Sequence, residues 1–164
     1  MAEWKKITCA IDLSDASRLA MESAADLARA LGAELTLLHV HETTPMSAVD
    51  LLVTPGGLAE LSAEETEQTL ADWRASASER SGRRVRSVVR TGAPAAEIVE
   101  HARDEGTDLL VVATHGRRGL ARLAFGSVAE KVAKQAPCPV LLVRSRTEPE
   151  EDSASGESSW YQPV

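Results

Sequence analysis

The chain has 164 residues, 43% of them apolar and 26% charged, the balance of one globular domain long enough to bury a core. A net charge of −7 argues against a nucleic-acid or anionic-membrane binder, and no apolar stretch approaches the length of a membrane span. Aromatic residues make up only 3%, so the core has to be built from Ala, Val, Leu and Ile, which suits helices laid on a parallel sheet.

The charge is uneven. Residues 146–164 carry Arg146 against Glu148, Glu150, Glu151, Asp152 and Glu157, a net −4 of the chain's −7. This divides the chain into a domain over 1–145 and an acidic Ser/Glu-rich tail over 146–164, read as loosely docked or disordered. Trp160 and Tyr161 are out of character in such a tail, either docking on a partner or a terminal remnant. The opening run MAEWKKITCAID passes straight into a strand-like pattern and is not expected to be a signal peptide. Cys9 and Cys138, without CxxC or metal spacing, read as small buried residues of a cytoplasmic protein.

In chain order, Lys5 to Ile11 reads as a first strand ending at Asp12. Ser14 is an N-cap candidate for a helix to Leu31, with Leu19, Ala20, Ala24, Leu27, Ala28 and Leu31 spaced as one face and Gly32 as its stop. Glu34 to Val40 is a second strand. A long connection punctuated by Pro45, Pro55, Gly56 and Gly57 leads to a second helix from about Leu58 to Ser81, with Leu61, Leu70, Trp73 and Ala77 inward. Arg83 to Arg90 alternates and reads as a third strand nearer an edge, its arginines a solvated face rather than a binding patch. Pro94 opens a third helix that buries Ile98, Val99 and Ala102 and ends at Gly106. Asp108 to Ala113 is apolar enough to be a central strand covered on both faces. A fourth helix starts near Ser127, where Ser127 and Glu130 have capping-box spacing and Val128, Val132 and Ala136 suit the sheet side. Val140 to Val143 is a fifth strand. The alternation β-α-β-α-β-α-β-α-β predicts a Rossmann-like α/β fold: an open parallel five-stranded sheet with helices on both faces.

The stretch LLVVATHGRRGLARLAFGSV, Leu109 to Val128, organises the rest. A buried-strand signal breaks into a glycine-punctuated loop, then resumes as a helix start. In open α/β sheets ligands bind beyond the carboxyl ends of the strands, and a helix N-terminus there suits a phosphate. Arg117 and Arg118 add charge of the right sign. The plain alternative is a loop that merely turns a strand into a helix.

Several segments, taken together and in this order, resemble the universal stress protein family in its small single-domain, ATP-binding form. They are an Asp ending the first strand, LLHV, GxPAxEIVxxA, DLLVVATHGRRGL, GSVAEKV and APCPVLLVR, over roughly residues 4–144. ATP-binding members carry Gly-x2-Gly-x9-Gly-Ser/Thr; here Gly116, Gly126 and Ser127 match, and Ala113 stands at the first glycine. A strand-terminal residue is normally extended with negative φ, so Ala113 is expected to be tolerated. The resemblance implies that Asp12 meets ribose hydroxyls, that Ala10, Ile11 and Val40 line the adenine pocket, and that Val112 and Ala113 lie beside the nucleotide. It further implies that Gly116 and Arg117 meet the phosphates, and that Gly126, Ser127 and Val128 hold the terminal ones. The cofactor would be ATP, or AMP or ADP, with Mg²⁺ as an accompanying ion. A homodimer through Val140–Val143 and an unidentified protein partner are also implied. On the residues alone, Asp12 also reads as a turn residue, Ser127 as a capping box, and Ile11, Val40 and Val112 as core.

Other chemistry is missing from the sequence. There is no GxxxxGK[ST], no GxGxxG after the first strand and no GxSxG. His39 and His41 share a strand face but lack a third ligand, and His115 is a loop residue with no assigned base role. With no carboxylate pair to orient water, hydrolysis is expected to be slow at most. The readings in play are a nucleotide-binding stress-response module, an interaction module of the same fold without nucleotide, and a slow ATPase.

Overall fold

The structure, a computed structural model, describes residues 3–42, 63–114 and 126–144. The expected Pro/Gly-rich connection, Leu61, the loop with His115, Gly116 and Arg117, and the acidic tail with Trp160 and Tyr161 lie outside the described residues.

The elements alternate: β1 (Lys6–Ile11), α1 (Asp15–Leu31), β2 (Glu34–Glu42), α2 (Ala63–Ser81), β3 (Arg86–Gly92), α3 (Pro94–Glu105), β4 (Leu109–Ala113), α4 (Ser127–Gln135) and β5 (Val140–Val143). All strand pairs are parallel, in the order β3-β2-β1-β4-β5. One face buries Ala20, Met21, Ala24 and Ala28 of α1 with Leu70, Trp73 and Ala77 of α2 against Ile7, Cys9, Leu37 and Val111. The other buries Ile98 and Ala102 of α3 with Ala129 and Val132 of α4 against Leu38, Leu110 and Val112. The expected α/β architecture is therefore the one observed.

Local chemistry sets the boundaries. The Ser14 side chain accepts from the Ser17 N–H at 3.3 Å, and Gly32 closes α1 in the left-handed region at φ 67, as its position suggests. Asp108 fixes the start of the sheet, its Oδ2 accepting from the N–H groups of Lys5 and Lys6 at 2.9 and 2.8 Å.

Four expectations need correction. The buried stripe of α1 runs through Ser17, Ala20, Met21, Ala24, Ala25 and Ala28, and these small residues let the helix sit close to the sheet. Leu19 and Leu31 fall off that stripe and are exposed. The third strand begins at Arg86, not Arg83, because the Val85 N–H donates to Ser78 Oγ (3.1 Å) rather than to a neighbouring strand. Its arginines are not simply solvated: Arg90 pairs with Glu97 and Asp104, and Arg86 with Glu105, tying β3 to α3. Lastly, Ser127 is the first residue of α4 rather than its cap, and Val128 is exposed while Val132 faces the sheet.

Candidate functional site

In a parallel sheet ordered 3-2-1-4-5, the chain departs in opposite directions from β1 and β4, so the crevice at their carboxyl ends is the topological switch point. Ala10 pairs with Val112 in register, which brings Asp12 and the Ala113–Thr114 step to the same edge. His39, buried on β2, donates from Nδ1 to the Ile11 carbonyl at 3.0 Å and fixes that end of β1. His41 stacks edge-on against His39, ring centroids 5.0 Å apart, so the two do share a face. Among the described residues no cluster of three or more His, Cys, Asp or Glu is arranged for a metal ion.

Asp12 is half-buried and belongs to a helix-start network. Its Oδ1 accepts from the N–H and hydroxyl of Ser14, at 3.0 and 2.5 Å, and its own N–H donates to Ser17 Oγ at 3.2 Å. Leu13 between them has φ 63, the one left-handed non-glycine among the described residues. Asp12 thus turns the chain and also presents a carboxylate at the crevice.

Across the crevice, Thr114 is buried. Its N–H donates to the Val143 carbonyl at 2.9 Å, and its carbonyl accepts from the Gly126 N–H at 2.5 Å. This places the start of α4 beside the end of β4. Gly126 is the N-cap of α4, at φ −66 and ψ 150, and no side chain caps the helix among the described residues. Glu130 reaches forward to Lys134 at 2.6 Å, and that contact holds its carboxyl below the usual range. The capping box between Ser127 and Glu130 does not form, because the helix starts one residue too early and Lys134 engages the glutamate. Ser127 is exposed, with Val128 beside it. A first turn without a side-chain cap, at the positive end of a helix, is an anion-binding arrangement.

Of the other expected site residues, Ile11 and Val112 are buried in the two cores. Ala10, Val40 and Ala113 are half-buried at the crevice margin. Ala113 has negative φ, so its methyl group carries no left-handed strain. Sequence reasoning found Ser14 as a helix cap but missed Thr114 and Leu13 as residues that set the crevice. A buried threonine in an apolar strand end and a leucine at positive φ leave no signal of their own in the sequence.

A sequence model of the universal stress protein family matches residues 3–144. The chain belongs to the universal stress protein family. It is 36% identical over 141 residues to a universal stress protein of Methanocaldococcus jannaschii, across 86% of this chain and 82% of that one. The structure is similar to the universal stress protein UspA from Lactobacillus plantarum, with a TM-score of 0.74 and 26% identity, over 88% of this chain and 100% of the other. It also shares the fold of a universal stress protein from Archaeoglobus fulgidus solved in complex with dAMP. That likeness has a TM-score of 0.61 and 21% identity and covers 86% of this chain and 98% of the other. Among the described residues no helix is long and apolar enough to cross a membrane.

Proposed function

We propose that this universal stress protein is an adenine-nucleotide-binding module of the stress response, taking ATP, or AMP or ADP, with Mg²⁺ accompanying the phosphates. The observation that carries the reading is the start of α4 without a side-chain cap, fixed beside the carboxyl ends of β4 and β5 by the hydrogen bonds of Gly126 and Thr114. Gly126 supports it further. Its φ and ψ are open to any residue, and as glycine it adds no side chain at the helix start where the phosphates are proposed to sit. The dAMP complex of the Archaeoglobus fulgidus protein shows a nucleotide on this fold.

In this reading Gly126, Ser127 and Val128 hold the terminal phosphates at the helix start, and Gly116 and Arg117 meet the remaining ones. Asp12 accepts from the ribose hydroxyls, and Ala10, Ile11 and Val40 flank the base. Ile11 and Val112 are buried, so they contribute through backbone and packing, with Ala113 at the margin. The nucleotide acts chiefly as a ligand that biases conformation; no side chain is assigned a catalytic role, and turnover is slow at most. The edge strand β5, with Leu141 37% exposed, pairs across a two-fold in a homodimer, leaving other surfaces for a protein partner. Free Cys9 and Cys138 accord with a reducing cytoplasm.

A second reading, an interaction module without nucleotide, draws on the Asp12 network, in which Ser14 already satisfies Oδ1. One experiment separates the two. The purified protein is denatured, the small molecules released are identified by mass, and ATP with Mg²⁺ is then titrated calorimetrically. Bound adenine nucleotide or a stoichiometric titration supports the first reading; neither, at saturating ATP, leaves the second.

A further inference from the structure

An open trough runs between α2 and the edge strand β3. Near the start of β3 it encloses about 470 Å³ lined by Arg74, Ser78, Arg84, Arg86 and Ser87. It continues as about 330 Å³ beside Glu67, Leu70, Ala71 and Val89, so its basic corner is the end near Arg84. Three arginines converge on this corner of a chain whose net charge is −7. Arg86 is shared with Glu105, whereas Arg74 and Arg84 are exposed and form no ion pair among the described residues. Among those residues β3 pairs only with β2, so one row of its backbone groups has no strand beside it. Val89 on the same strand is 47% exposed. A long edge strand beside a groove with alternate polar and apolar lining is a template for strand addition.

We propose that the acidic C-terminal segment of this same chain, residues 146–164, docks in this trough, antiparallel to β3. Charge complementarity supports it: Glu148, Glu150, Glu151, Asp152 and Glu157 are five carboxylates within ten residues, whereas Glu64, Glu65, Glu67 and Asp72 of the other acidic run belong to α2 itself, and the trough holds Arg74 and Arg84, which form no ion pair among the described residues. Length permits it. From the end of β5 across the sheet to β3 is about 19 Å at ~4.8 Å per strand spacing, and about 17 Å more runs back along β3 to Arg84. Glu157 lies thirteen residues past Arg144, a reach of about 43 Å when extended. Glu157 therefore meets Arg84 and Arg74 while Glu150 to Asp152 lie along the strand. The segment covers the edge that β3 otherwise exposes, and salt weakens the contact.

The test is hydrogen exchange of the full chain at low salt, read at β3 and the last turns of α2. The comparison is a variant carrying Glu148→Gln, Glu150→Gln, Glu151→Gln, Asp152→Asn and Glu157→Gln. Docking predicts a roughly tenfold loss of protection at β3 in the variant, with β1 and β4 unchanged. Arg74→Glu with Arg84→Glu should give the same loss, and adding Glu150→Lys, Glu151→Lys and Glu157→Lys to that pair should restore protection. Equal protection in wild type and the neutralised variant overturns the proposal, as does a loss spread evenly over β1 and β4. Protection that falls on dilution would assign the trough to the tail of a second copy and overturn the intramolecular contact.

Discussion

The N–H of Gly126 donates to the carbonyl of Thr114, so the loop between them leaves and re-enters the fold at a single hydrogen bond. Thr114 is itself tied to Val143 of β5. The helix start that faces the crevice is therefore registered to the two strands on one side of the switch point, and Asp12 comes from β1 next to them.

Gly126→Asp should separate stability from binding. An aspartate at an N-cap accepts from the first-turn N–H groups and complements the helix dipole, so it is worth a few tenths of a kcal/mol over glycine. The same carboxylate occupies the place proposed for phosphate. The expected outcome is an unchanged or slightly raised melting temperature, with ATP affinity by calorimetry lowered roughly tenfold or more. An affinity equal to wild type would remove the phosphate site from this helix.

Ala113→Gly tests whether the alanine blocks the site. Because φ at Ala113 is negative, glycine relieves no strain there. The variant should lose about 0.5–1 kcal/mol of stability through added freedom in the unfolded chain. Its ATP affinity should stay within a few-fold of wild type; a large gain would mean that the methyl group, through space alone, excludes nucleotide.

His101 makes stability depend on pH. It is buried on α3, and its Nε2 has no hydrogen-bond partner among the described residues. Burial pushes its pKa below the ordinary histidine value. Glu105 and Asp104 oppose that shift; Arg90 and Arg86 reinforce it. A folded pKa below the unfolded one means that the unfolded chain binds the proton more readily. The contribution is intact above the unfolded value of about 6.5 and is lost as pH falls below it. Thermal unfolding between pH 5 and 8 should show a decline on the acid side that is shallower in His101→Leu. Parallel curves for the two proteins would assign the acid sensitivity elsewhere.

Thr8 and Thr107 share a buried hydroxyl–hydroxyl bond of 2.9 Å between β1 and the turn after α3. Thr8→Val leaves Thr107 with an unmet partner and should destabilise by about 1–3 kcal/mol in denaturant unfolding. Adding Thr107→Val removes the orphaned group, so the double variant should be less destabilised than the sum of the singles. Strict additivity would mean that the pair contributes nothing as a pair.

The sequence by itself determined the order of elements, the parallel sheet and most of the boundaries. These rest on short-range physics: Gly32 and Gly106 at helix ends, Pro94 at a helix start, the unbroken apolar run of β4, and Ser14 as a cap. It also held the family resemblance through its motifs. Only the tertiary structure decided how those residues are used. Whether Ser127 caps α4 depends on where the loop delivers Gly126, and that is set by a hydrogen bond to Thr114. Whether the arginines of β3 are solvated depends on α3 lying across them with Glu97, Asp104 and Glu105. Leu19 and Leu31 have helical spacing as good as their neighbours', yet the sheet accepts the smaller stripe. Periodicity and propensity are properties of neighbours in the chain, whereas caps, ion pairs and burial are settled by which elements meet.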